Sequence, residues 1–248
     1  MLTLLYQNKV IKANLKRRNI MKCIWLGQAG LLFDFDGVVV MIDPYLSDSV
    51  AAVNPMNKRR VEVDDSFLGI EPDILILTHD HLDHTDPDTL EVILKKKEGI
   101  CVLASQNAWK HVRTYGNNHN YVMFNRHTEW SYGAIHFQAV HAQHSDDYAM
   151  GVLITYQDKT YYVSGDTLYH KQVIEDLKNT GKNLEAAFIP VNGVGNNMNM
   201  TDAARFVMEI GAKKVVPVHF GLFDHLNPGE DFACDKKVIP EIYKELPV

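Results

Sequence analysis

Residues 77–86 read LTHDHLDHTD, three histidines and three aspartates in ten positions, overlapping the end of the apolar run DILIL at 73–77. Imidazoles and carboxylates at this density are costly to take out of water unless something compensates them. Divalent cations compensate such a set. In an extended segment, side chains at i and i+2 point the same way, so His79 and His81 can grip one ion together. The chain then turns, and Asp83 and His84 can face a second ion, because four ligands within six residues crowd a single one. Imidazole with carboxylate suits zinc, manganese and iron. A polar surface loop would supply one or two of these residues, whereas all four at this spacing behind a buried strand point to ligands. Asp80 falls outside the set, its side chain directed away from the flanking histidines. Asp86 stands where a helix starting at Pro87 needs its cap.

One such cluster cannot close two coordination spheres, so other ligands must stand at the ends of other strands, where open α/β sheets place their sites. Three residues qualify: His144 at the end of HFQAVHAQH, Asp166 after TYYVSG, and His219 at the end of KVVPVH. His141 competes with His144, but three steps along a strand the two face opposite ways.

The elements that must carry these residues follow from apolar patterning. CIWLGQAGLLFDF and VVVMID are strand-like runs separated by an Asp-Gly turn signal. Residues 47–72 are polar and irregular. DILILTH is a short buried strand, DPDTLEVILKKKEG a helix, CVLAS a strand, and QNAWKHVRTYG a helix. HFQAVHAQH and the paired runs of MGVLITYQDKTYYVSGD are strands. HKQVIEDLKNTGK is helical, AAFIPVNG a strand, TDAARFVMEIGAK a helix with Thr201 as candidate cap, and KVVPVHF a last strand. This order indicates an α/β protein. Residues 1–20 form an appended arm, and residues 21–248 a single domain.

Composition excludes several classes. With 46% apolar and 23% charged residues, the 248-residue chain has the make-up of a water-soluble globular protein. A net charge of −6 gives no general pull toward nucleic acid or anionic membrane. The three cysteines include no CxxC pair, which argues against a disulfide scaffold or zinc knuckle. No segment approaches the roughly 20 apolar residues of a membrane span, and the basic residues of the N-terminus follow its apolar ones, the reverse of a secretory signal. A cytoplasmic location is the expectation, with no nucleic acid or membrane partner. Residues 1–20 are free to pack across a partner subunit in a homo-oligomer.

The units THDHLDH, AQHSD, SGDT and VPVHF, in that order over about residues 21–225, resemble the metallo-β-lactamase superfamily of αββα sandwich hydrolases. The resemblance implies a four-layer α/β fold in which two sheets pack face to face with helices outside. It also implies one metal held by His79, His81 and His144, and a second by Asp83, His84 and His219, with Asp166 bridging. Within the superfamily, IWLGQAG, VSGDTLYH, PVNGVGNNMNMTDAARF and VPVHFGLFDH resemble the L-ascorbate-6-phosphate lactonase-like group.

That resemblance implies a carboxylic ester hydrolase that opens the lactone of a phosphorylated sugar acid such as L-ascorbate 6-phosphate. The nucleophile would be hydroxide held by two divalent ions, with Asp83 and Asp166 as the catalytic carboxylates and Asp83 handling the proton. Asn192, Asn196 and Asn197 would meet substrate, as would His170 and His225, which follow ligand positions. The chain departs from those lactonases in length, and its Asn-rich loop carries no basic residue for a phosphate. Arg59, Arg60 or Arg126 would have to reach in. A phosphodiesterase or nuclease and a thioester hydrolase use the same fold and metals. A metal-binding scaffold without activity is the non-enzymatic alternative, and it would show gaps among the seven ligand positions, all of which are filled here.

Overall fold

The computed structural model describes residues 21–116 and 118–248; the expected arm at 1–20 lies outside the described residues. Met21–Gly27 (β1) turns tightly into Gly30–Phe35 (β2), and the Asp36-Gly37 turn leads into Val38–Ile42 (β3). The run CIWLGQAGLLFDF is therefore two strands, broken by a Gly27–Gly30 turn with Gly27 at φ 92° and Gln28 at φ 50°. Ser49–Val53 (α1) follows, then Ile74–Leu77 (β4), Pro87–Lys96 (α2), Cys101–Ala104 (β5), Gln106–Val112 (α3) and Asn120–Met123 (β6).

The second half runs Glu129–Tyr132 (β7), Ile135–His141 (β8), Met150–Tyr156 (β9), Lys159–Val163 (β10), Lys171–Asn179 (α4), Leu184–Pro190 (β11), Met200–Ile210 (α5), Lys214–Val218 (β12) and Pro228–Asp231 (α6). Two mixed sheets result, ordered β1-β2-β3-β4-β5-β6 and β12-β11-β10-β9-β8-β7. In each, antiparallel hairpins come first and parallel strands joined through helices or loops complete the sheet.

β4 shows why its sequence is apolar throughout. Side chains alternate across a strand. Ile74 and Ile76 enter the core between the two sheets, with Phe33, Ile42, Val152, Ile154 and Phe188. Leu75 and Leu77 enter a second cluster with Leu90 and Ile93 of α2 and Ala108 of α3. A strand covered on both faces must be hydrophobic at every position. The amphipathic faces of α4 (Val173, Ile174, Leu177) and α5 (Ala203, Phe206, Val207) cover the outer face of the other sheet. Helices therefore flank two facing sheets, as the resemblance implies.

Boundaries differ in three places. β8 stops at His141, so His144 stands on the loop three residues beyond it. The cap of α5 is Asn199, whose side chain accepts from Asp202 N, and Thr201 lies inside the helix. β6 and β7 are additional edge strands, four residues each and largely exposed, which the patterning does not single out.

Phe33 is fully buried and packs against Phe35, Tyr161 and Phe188 between the sheets. Phe33→Ala is expected to cost about 3–5 kcal/mol of stability, read as a lowered urea midpoint at unchanged slope. An unchanged midpoint would contradict this placement of the core.

Candidate metal centre

The loop after β4 is shaped by local polar bonds before any ion is considered. Asp43, at the end of β3, is wholly buried and accepts from Thr78 N (2.8 Å), Thr78 Oγ1 (2.5 Å) and His84 Nδ1 (2.8 Å). Thr85 Oγ1 donates to His79 O at 2.8 Å, and the Thr85 and His84 amides donate to His81 O at 2.8 and 3.0 Å. Asp86 caps α2 through Asp88 N at 3.3 Å and accepts from Ser49 Oγ at 2.8 Å and from Thr89 Oγ1. Asp80 points outward to His111 Nδ1 at 2.8 Å, away from the two histidines beside it.

The remote residues arrive from the other sheet. Gly165, at φ +57°, lets the segment after β10 press against Thr78, where a Cβ would lie 2.9 Å from the threonine side chain, and this sets Asp166 at the centre. His219, just past β12 at φ 61°, donates its backbone N–H to Gln28 O at 2.8 Å. Non-glycine residues in the left-handed region cost of order 1–3 kcal/mol each and collect at functional sites. Gln28, Asp43 and His219 are three such residues around one centre.

The seven residues expected as ligands meet. His81 Nδ1 lies 3.0 Å from His79 Nε2 and 3.2 Å from His144 Nε2. His219 Nε2 lies 3.3 Å from Asp83 Oδ2 and 3.2 Å from Asp166 Oδ2, and His84 Nε2 lies 3.4 Å from Asp166 Oδ1. Asp166 Oδ2 also stands 3.8 Å from His144 Nε2, so this carboxylate touches both groups. His79, His81 and His144 form one set of ligand atoms within 4.8 Å of one another; Asp83, His84 and His219 form another. Asp43, His79 and His84 satisfy the same distance, but Asp43 already holds the Nδ1 of His84 and turns the other ring nitrogen toward Asp166. His141 faces Arg126 and its main-chain N–H donates to Asp176, outside the cluster.

Donor chemistry fits cations. Three imidazole nitrogens, of His79, His81 and His144, converge on one point, and the buried atoms His84 Nε2 and Asp166 Oδ1 lack a hydrogen-bond partner among the described residues. Burial pushes the His79 imidazolium well below its ordinary range, assisted by His84, and burial likewise lowers His144. Both rings are thus neutral, with lone pairs free. In the second set burial alone would raise the carboxyls, but His84 and His219 hold Asp83 and Asp166 far below the usual carboxylate range. Burial would lower His84 and His219, yet the carboxylates of Asp166 and Asp83 outweigh it. His84 moves well up, and His219 rises to about 10. Without a cation, the second set keeps its charge balanced with protons.

Some expected residues take other places. His170 caps α4, accepting from Gln172 N at 3.3 Å. His225 is exposed, with Arg60 Nη1 2.6 Å from its Nε2. Neither lines the cavity of about 680 Å³ above the cluster, which is bordered by Asn192, Asn196 and Asn197 together with Gln28, Asp83 and Phe223. Gln28 and Asp43 are absent from the residues expected of the site. Asp43 ends the run VVVMID as the other centre residues end theirs, so the strand-end rule would have found it. Gln28, between two turn glycines, carries no such mark.

Residues 39–220 match the family model of the β-lactamase superfamily domain. The chain is 32% identical over 226 residues to a UPF0173 metal-dependent hydrolase of Bacillus cytotoxicus, spanning 82% of this chain and 87% of that relative. Its fold is similar to a possible metal-dependent hydrolase of Veillonella parvula, with TM-score 0.73, 19% identity, and 92% and 100% of the two chains covered. It is also similar to Igni18, a metallo hydrolase of Ignicoccus hospitalis, with TM-score 0.71, 19% identity, and 91% and 97% covered. Both the domain match and the curated relative lead to one assignment: the chain belongs to the β-lactamase superfamily, among the UPF0173 metal-dependent hydrolases. Among the described residues no helix is long and apolar enough to cross a membrane.

A raised histidine keeps its proton between its unfolded value of about 6.5 and its folded value, here about 10 for His219. An arriving cation must expel that proton, so apparent metal affinity rises with pH across this window. Calorimetric titration of metal-free protein at pH 8, in buffers of different ionisation enthalpy, should show at least one proton released as the cluster fills. No release would contradict the charge balance described here.

Proposed function

We propose that the protein hydrolyses a small lactone or related carboxylic ester at a two-ion centre. His79, His81 and His144 would hold one ion, Asp83, His84 and His219 the other, and Asp166 would lie between them. The observation that carries this reading is the pair of ligand sets meeting at Asp166 beneath one open cavity. Zinc, manganese or iron in such positions lowers the pKa of a water from 15.7 to about 7 and polarises a carbonyl oxygen.

The chain's own residues divide the remaining work. Asp83, whose side chain is 18% exposed and lines the cavity, is placed to accept the proton of the attacking water and return it to the departing alkoxide. In a lactone that alkoxide stays tethered to the acyl carbon. Ser145 and Asn196 offer polar groups to ring oxygens, and Val50, Val194 and Phe223 supply the apolar wall.

A phosphorylated sugar acid finds less support than its neutral counterpart. Among the described residues no lysine or arginine lines the cavity. Arg59 is engaged by Tyr45 O at 2.8 Å and Tyr243 Oη at 3.0 Å, Arg60 lies against His225, and Arg126 sits beside His127 and Asp176. The same lack of cations, with a net charge of −6, disfavours the nuclease reading. A thioester would be served by the same groups.

Metal-loaded protein should open neutral γ- and δ-lactones faster than the metal alone, with no advantage for a phosphorylated lactone. Equal rates with and without protein across lactones would remove the ester reading, and turnover of bis-p-nitrophenyl phosphate instead would favour the phosphodiesterase. His81→Ala and Asp166→Ala should abolish turnover and lower bound metal below two ions per chain by elemental analysis. Full metal content and activity in His81→Ala would overturn the two-ion centre.

A further inference from the structure

Three side-chain amides surround the second ligand set, and each is engaged by residues at the centre. Gln28 is 2% exposed, and its Nε2 donates to Asp83 Oδ2 at 2.8 Å and lies 3.1 and 3.2 Å from the two ring nitrogens of His219. Its backbone oxygen accepts from both the Trp25 indole at 2.9 Å and the His219 amide at 2.8 Å, which locks the left-handed residue in place. Asn197 is 5% exposed and donates through Nδ2 to Asp166 Oδ2 at 2.8 Å. Asn192 sets its amide 2.9 Å from His219 Nδ1 while its Oδ1, also buried, has no partner among the described residues. Turning that amide over makes Oδ1 the acceptor of the Nδ1–H and satisfies both atoms. His219 Nδ1 is then held by Asn192, and Nε2 is the nitrogen turned toward Asp83 and Asp166.

The loop that carries the asparagines is itself anchored for this work. Gly193 N donates to Met198 O at 3.0 Å, and Met198 N donates to Thr167 O at 3.0 Å, next to Asp166. The backbone oxygen of Asn196 accepts from His144 Nδ1 at 3.2 Å, while its exposed side chain borders the cavity. All three committed amides are neutral. They orient Asp83, Asp166 and His219 without supplying the positive charge that the carboxylates require.

We infer that Gln28, Asn192 and Asn197 are positioning residues that hold Asp83, His219 and Asp166 for a cation, rather than contacts for substrate. Resting on the two-ion reading above, this leaves Asn196 as the amide of that loop that meets substrate. Groups that orient metal ligands typically account for about 10–100-fold in metal affinity.

The test is a cobalt(II) titration of metal-free protein followed by its visible absorbance, paired with steady-state kinetics on a neutral lactone. Gln28→Met and Asn197→Leu keep volume and remove the amide. Each should retain one ion at wild-type affinity, bind the other about 10–100-fold more weakly, and lose kcat at saturating substrate. Asn196→Ala should keep both ions and raise KM alone. Asn192→Ala reads the same quantity where either buried variant fails to fold, as judged by circular dichroism of the metal-free protein. If Gln28→Met and Asn197→Leu, or Asn192→Ala in their place, bind both ions as wild type does and change only KM, the amides are substrate contacts and the inference falls. Wild-type protein that takes fewer than two ions overturns the two-ion reading instead. The amide assignment is then judged on the remaining ion, and fails if its affinity is unmoved.

Discussion

The carboxylate of Asp43 is the point on which the centre depends. It is fully buried and accepts three hydrogen bonds, two from Thr78 and one from His84. Buried carboxylates are tolerated where hydrogen bonds and a nearby opposite charge compensate them. Through its three bonds Asp43 fastens the end of β3 to the start of the His/Asp loop after β4. It also decides which nitrogen of His84 faces inward, since a ring that donates through Nδ1 presents Nε2 to whatever lies opposite.

From there the charges explain the neighbours. The first set is three imidazoles kept neutral chiefly by burial, suited to a cation that needs lone pairs. The second contains the carboxylates, and its histidines rise until they balance them. Asp166 sits at the seam, reached by the close approach that Gly165 permits. Candidate ligands after β4 follow one sheet and those beyond β8, β10 and β12 follow the other, so the cluster is assembled only when both sheets have packed across Phe33, Ile76 and Phe188.

How much of this was legible before the structure depends on where each residue gets its meaning. His79, His81, Asp83 and His84 are ligand types in one short stretch, so local spacing marks them as candidates, and the structure brings them together. His144, Asp166 and His219 could be found because apolar runs end beside them. Gln28 acquires its role only when strands distant in sequence meet, and nothing local marks it, whereas Asp43 ends an apolar run as the others do but shows its bonds to Thr78 and His84 only once β3 and β4 have paired. His170 and His225 stood close to ligands in the chain, yet a helix start claims one and an exposed contact with Arg60 turns the other away. In the fold, the fully covered β4 was plain from its continuous apolar run. β6 and β7, largely exposed at the edges, had no comparable pattern. The β1–β2 break was hidden because both strands are apolar and the turn between them is only two residues long.

The cavity above the centre is built of two kinds of material. Its floor is of buried, mutually bonded residues, Gln28, Asp166 and Asn197 among them, where a change in one disturbs several. Its walls come from Val50 in α1, a helix with no buried residue, from Val194, which is 64% exposed, and from Phe223 in the loop beyond β12. Exposed loop positions accept substitution at little thermodynamic expense. Divergence among descendants of this chain would therefore run along the walls, so that new substrates could be acquired repeatedly while the bond-breaking apparatus stayed as it is.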